Sequence, residues 1–346
     1  MTDSLVGAYL PLFFWVGAGM LLCRWLPDRF PQFLGRSLYW LGVPLEIFAL
    51  TRQAHWSAAI AWVPPITVFA IGMGLLAAAI ILQGLRRGYP QLPPGLCSSE
   101  VVHLDQTLQD PSLSWSELGK SIPAVSSPPH WEDRPRQGSF LLASIFGNTG
   151  FVGLAIVPTL VNDSYLGWLV LYSITQNVLG TYGIGVFLAS YFGRASQAPG
   201  WIQLRDVLTV PSLWAFMVGS FTQSIELPMP LENSLQGSVW VVIPTALVLM
   251  GMRLSQLQGW QSLRLGIAPS LIKGLVLPGV VGVAATLLHL LPEARLALVL
   301  MAGMPTAFAG LILAEEYELD RELIASSIVL SSALLILTLP LWLLVF

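Results

Sequence analysis

The chain has 346 residues, 55% of them hydrophobic and only 10% charged, with a formal net charge of −3. Soluble domains carry about a quarter charged residues, so this composition describes an integral membrane protein. It lacks the basic stripe that nucleic-acid binding needs. Two cysteines (Cys23, Cys97) and four scattered histidines (His55, His103, His130, His289) supply no disulfide framework and no CxxC or HExxH spacing.

A membrane span takes about 20 mostly apolar residues, and that rule predicts ten helices. They run over Leu5–Leu22, Leu38–Leu50, Ala58–Gln83, Ser139–Val161, Tyr165–Phe192, Val207–Ser224, Leu235–Met252, Gly266–Leu291, Arg295–Ala314 and Ile324–Leu344. No basic region precedes the first run, which reads as a retained span and not a cleavable signal. The fourth run, SFLLASIFGNTGFVGLAIVPTLVN, carries Gly147, Asn148, Thr149, Gly150 and Gly153 at its middle. The ninth is interrupted in the same way by AGMPTAFAG, with Gly303, Pro305 and Gly310. Such breaks free backbone groups that lipid cannot satisfy, so they survive only against protein or a cavity. Interrupted spans in corresponding places of two halves point to a transporter's binding site.

Between the third and fourth runs, Leu85–Gly138 is rich in Pro, Ser and Gln and reads as a disordered cytoplasmic linker. With it set aside, a repeat is visible. Pro44 and Pro244 each sit inside an apolar helix, 104 residues before Asn148 and 61 before Pro305. The linker has 54 residues against 10 in Ser255–Arg264, which accounts for the mismatch. Five spans per half is an odd number, so the halves insert with opposite orientation, an inverted repeat. With the N-terminus outside, thirteen of the sixteen Lys and Arg fall in inner loops and only Arg52 and Arg295 in outer ones. Both termini are therefore expected to face outward. The last cation, Lys273, lies low in the eighth span, where it can snorkel.

Four stretches resemble the auxin efflux carrier family: GNTGFVGLAIVP (Gly147–Pro158), IPTALVLMGMRL (Ile243–Leu254), MAGMPTAFAGLILAEEYELD (Met301–Asp320) and LGVPLEIFAL (Leu41–Leu50). One departure is that Gly153-Leu154 is followed by Ala155, with the proline delayed to Pro158. The resemblance implies an all-α membrane protein of ten transmembrane helices in a 5+5 inverted repeat, with helices 4 and 9 broken and crossing. It implies a scaffold (1–56 and 201–256) and a transport bundle (57–84 with 139–200, and 257–346), the linker occupying 85–138. It also implies a homodimer in the plasma (inner) membrane and an elevator carrier of small organic anions, needing no cofactor beyond a possible coupling ion, Na+ or H+.

Free N–H groups and the positive end of a half-helix suit an anion. Candidate substrate-binding residues are Asn148, Thr149 and Gly150 on helix 4, Pro305 and Thr306 on helix 9, and Gln176 and Asn177 on helix 5. Gln176 and Asn177 are about 100° apart on a helix, so only one of them faces any single spot; Asn177 is favoured. The dull alternative is that these polar groups satisfy freed backbone or bond between helices. Glu46 is the one acid deep in a span, a candidate for coupling; otherwise it pairs with Arg52 or His55 near the surface. The acidic run Glu315–Glu322 lacks EF-hand spacing and reads as a solvated loop. An enzyme is not expected, since HExxH, GxSxG and Walker motifs are missing. The competing reading is a membrane sensor that signals through the linker.

Overall fold

The computed structural model describes residues 2–27, 29–53, 60–88, 131–193, 200–256 and 262–346. Among these, the chain is helical with no strand, apart from one isolated backbone bridge. In chain order the rods are α1 (Thr2–Leu22), α2 (Phe30–Gln53), α3 (Ile60–Arg87), α4a (Arg134–Ile145), α4b (Thr149–Thr159) and α5 (163–192). After a short helix at Trp201–Leu208 come α6 (Pro211–Phe221), α7 (Met229–Ser255), α8 (Leu263–Leu287), α9a (Pro292–Ala302), α9b (Ala309–Glu316) and α10 (Arg321–Val345). Five of them, α2, α3, α7, α8 and α10, are each long and apolar enough to cross a bilayer. Large apolar side chains such as Phe14, Leu76, Val241 and Leu337 are exposed on the outside, a surface that fits lipid and not water.

In lipid, helices associate by close packing and not by the hydrophobic effect, which favours small residues at contacts. The α1–α7 pair shows this: a Cβ on Gly19 would fall on the Val248 carbonyl oxygen, and one on Gly251 on that of Val16. Both α6 and α7 pack on α2, so α1, α2, α6 and α7 form one group. The rest pack on one another, with α8 against α9a and α3, α10 against α4a and α8, and α5 against α3 and α9a. The groups meet where α7 and α1 touch α4b and where α6 touches the middle of α5. Inside α2, Pro44 lacks an N–H and crowds the carbonyl four residues back. A π-helical turn at Leu38–Gly42 lies just before it and takes up the misfit.

Several boundaries differ from the sequence reading. Helix α2 begins at Phe30, with Pro31 in its first turn, where proline fits. The linker is shorter than 85–138: Leu85–Arg87 belong to α3, and Arg134–Gly138 already belong to α4a. Its middle, 89–130, with Cys97, His103, Lys120 and His130, lies outside the described residues, as does His55. The acidic run is not simply solvated. Glu315 pairs with Arg253 at 3.0 Å, and Asp320 pairs with Arg136 at 2.7 Å while capping α10 through Leu323 N–H.

Candidate functional site

The centre of the molecule is the place where α4 and α9 break. Helix α4a stops at Ile145 because Phe146 turns extended (ψ 121°) ahead of Gly147. Asn148 then starts α4b; its carbonyl accepts from Val152 and Gly153, and its side-chain oxygen from Val152 N–H at 3.4 Å. Helix α9a stops at Ala302, and Gly303–Phe308 bridge to α9b. The two irregular stretches pair antiparallel at Gly147 and Thr306. Asn148 N–H donates to Pro305 C=O at 2.8 Å, and Ala307 N–H to Phe146 C=O at 3.2 Å.

The carbonyls left over at the broken ends are met by side chains. Gln176 donates to Ile145 C=O (2.9 Å), the Thr306 hydroxyl to Ala143 C=O (3.0 Å) and Lys273 Nζ to Ala302 C=O (3.0 Å). Thr306 N–H is itself held by Ser331 Oγ at 2.9 Å. These bonds are what backbone polar groups require away from water.

Beside the crossing lies a cavity of about 20 Å³, lined by Val43 and Glu46 of α2, Gly147, Asn148, Gly150 and Phe151 of α4, Asn177 and Tyr182 of α5, and Ala307–Ala309 of α9. That is room for about one water, far below the 300–1,000 Å³ of ordinary ligand sites. Glu46 is buried and its Oε1 has no hydrogen-bond partner among the described residues. The first amides of α4b have no partner within their own helix. A methyl group on Gly150 would lie 3.1 Å from Glu46 Oε1 and 3.2 Å from Asn177 Nδ2, so the three converge on one point.

The sequence candidates thus divide. Glu46, Asn148, Gly150 and Asn177 line the cavity, while Gln176, Pro305 and Thr306 are bonded to backbone around the breaks. The Thr149 hydroxyl is buried without a partner among the described residues and lies off the cavity. Glu46 does not pair with Arg52, which instead binds the Thr222 and Ile225 carbonyls and Glu232.

Lys273 overturns its sequence reading. It does not snorkel but is fully buried, its ammonium 2.9 Å from where a Gly147 Cβ would stand. Four π-helical stretches occur among the described residues, at Leu38–Gly42, Thr149–Gly153, Gln176–Gly185 and Ile272–Val276. Such turns gather at functional sites, and here they directly precede or carry Glu46, Gly150, Asn177 and Lys273.

A larger cavity of about 310 Å³ opens between α2, the short helix Trp201–Leu208 with the start of α6, and α9b, with Arg36, Tyr39, Arg205 and Glu316 on its wall. Tyr39 on this side meets Tyr182 on the small cavity edge to face, ring centres 5.8 Å apart. The two rings stand between the chambers.

The profile of a family described as membrane transport protein matches residues 132–343, well over half of the chain. The chain belongs to the auxin efflux carrier family. The match covers α4 to α10, so both breaks and Lys273 lie inside it and Glu46 lies outside. An uncharacterized transporter of Methanothermobacter thermautotrophicus is 27% identical over 208 residues, 55% of this chain and 66% of that protein. Another, from Methanocaldococcus jannaschii, is 25% identical over 210 residues, 59% of this chain and 67% of the relative. The chain therefore spans about two thirds of the length of these family members.

Proposed function

We propose that this family member is a secondary or facilitative carrier of a small organic anion, which binds where α4 and α9 cross. The observation that carries this reading is the pairing of two broken helices beside a buried polar cavity, the arrangement in which transporters hold solute near the bilayer midplane. In this reading the chain crosses the membrane ten times as a 5+5 inverted repeat with both termini outside, in the plasma membrane, and works as a homodimer. The group α1, α2, α6 and α7 is the scaffold; α3–α5 and α8–α10 are the mobile bundle. Its elevator movement carries the crossing from one side to the other. The small volume at the crossing suits a closed intermediate, and the larger chamber behind Tyr39 is the inward entrance.

The anionic group sits on the amide end of α4b with the Asn148 and Asn177 side chains, which can donate to a carboxylate. Thr149 opens α4b at this end with its hydroxyl turned off the cavity, so it offers the solute its backbone amide; Gln176, Pro305 and Thr306 hold the geometry through their bonds to the breaks. Glu46 is the coupling group, binding a proton or a cation beside the solute. Uptake of labelled malate, succinate, pyruvate or indole-3-acetate by proteoliposomes containing only this protein tests the reading. Transport is expected in wild type and lost in Asn148→Ala, at equal protein level and detergent stability. An Asn148→Ala carrier with unchanged uptake removes Asn148 from the site. No uptake of any solute by wild type would favour the sensor. Uptake by Glu46→Gln with unaltered rate and pH dependence would dismiss its coupling role.

A further inference from the structure

We propose that Lys273 is a built-in counter-cation of the crossing: an amine that, protonated, serves the bound anion where carriers with broken helices otherwise recruit a metal cation. The inference rests on the reading of the crossing as an anion site and names a residue and a role outside the seven substrate-binding candidates.

Three observations carry it. Lys273 is buried deep in α8, on the π-helical turn Ile272–Val276, which interrupts the regular helix there. A buried ammonium is costly in a bilayer and is by default functional. Its Nζ donates to the carbonyl of Ala302, the last residue of α9a. That is the negative end of a half-helix, the kind of carbonyl end that holds sodium in other carriers. Finally, Nζ lies 2.9 Å, and Cε 3.2 Å, from where a Cβ of Gly147 would be, and Gly147 also lines the cavity. Gly147 thus touches both the ammonium and the cavity, with the Thr149 methyl 3.3 Å from the same point.

No carboxylate among the described residues pairs with Lys273: the ion pairs Arg52–Glu232, Arg136–Asp320, Arg205–Asp206 and Arg253–Glu315 do not involve it, and the α9a carbonyl end offers only a partial charge. An ammonium has three donors, and the one bond to Ala302 is its hydrogen bond here. Lys273 therefore acts as a positioning and charge-supplying residue, reaching the solute across Gly147.

The test compares wild type, Lys273→Met and Lys273→Arg, purified in detergent, with malate, succinate and pyruvate as probes. Affinity is measured by calorimetry at 20 °C and stability by thermal unfolding. Wild type is expected to bind at least one probe equally well in sodium and in choline buffer. Lys273→Met is expected to bind it about tenfold or more weakly, with a larger loss for the dianions than for pyruvate, while Lys273→Arg keeps part of the affinity. A Lys273→Met protein with wild-type affinity, or a loss equal for mono- and dianions, overturns the inference. So does a wild type that binds only with sodium, a measurement that stands even if the variants fail to fold. A wild type that binds no probe under any buffer overturns the anion site itself, and this inference with it.

Discussion

Replacing Gly150 with alanine separates the site from the fold. The new methyl would enter the small cavity 3.1 Å from Glu46 Oε1 and 3.2 Å from Asn177 Nδ2. Both neighbours are ends of side chains, which can yield by a few tenths of an ångström. Alanine is favoured over glycine in a helix by roughly 0.5–1 kcal/mol, which offsets crowding of similar size, so stability should stay within about 1 kcal/mol of wild type. The cavity, about 20 Å³ before the change, would be filled. A carboxylate could then no longer approach the α4b amides, and binding should weaken by at least about tenfold, near 1.4 kcal/mol. Thermal unfolding in detergent and initial uptake rates in proteoliposomes measure the two effects separately. Uptake within twofold of wild type, at unchanged stability, would mean that the solute never reaches Gly150, and the placement of the site would be wrong.

Other changes probe the frame. Gln176→Leu strips the donor from the Ile145 carbonyl and should cost about 1–3 kcal/mol, read as a lower unfolding temperature. Asp320→Ala removes both the α10 cap and the partner of Arg136, for about 1–2 kcal/mol. Asp320→Asn keeps the cap and should lose less than about 1 kcal/mol in the same assay, because the ion pair is partly exposed. Glu318 holds a left-handed backbone (φ 58°) between α9b and α10, so Glu318→Gly should raise stability by roughly 1 kcal/mol. No rise in unfolding temperature would contradict strain at that turn.

The breaks were legible because their cause is local. Gly147, Asn148 and Gly150, and Gly303 with Pro305, stop a helix whatever surrounds them, and both stretches are irregular as expected. The divergence of Gln176 and Asn177 follows from helix geometry alone, and their partners differ accordingly. What the residues meet was not legible. Nothing in the sequence says that Thr306 would spend its hydroxyl on Ala143, or that Arg52 would bind the end of α6 and leave Glu46 alone. Lys273 was misread through an error of position. Counted from Gly266 it seems near the membrane surface; α8 starts at Leu263, ten residues earlier than Lys273. That puts Lys273 about three turns into the rod, on a stretch packed against α9a and α10 and not at a free end. The depth of a charged residue from the true helix start is the signal that finds it. Helices α2 and α4a start earlier than expected, with Pro31 and Pro135 each in a first turn, where proline fits.

The bonds that join Phe146 to Ala307, Asn148 to Pro305 and Ala143 to Thr306 lock the halves of two different helices to one another. Pulling α4 away from α9 would strand six polar groups in hydrocarbon, at several kcal/mol each. In the carrier proposed above, the motion that hands a solute across would therefore convey this knot whole, like a turnstile carried on its own hub. Access would then change at its borders with α1, α2, α6 and α7, where neighbours can slide without unravelling main chain.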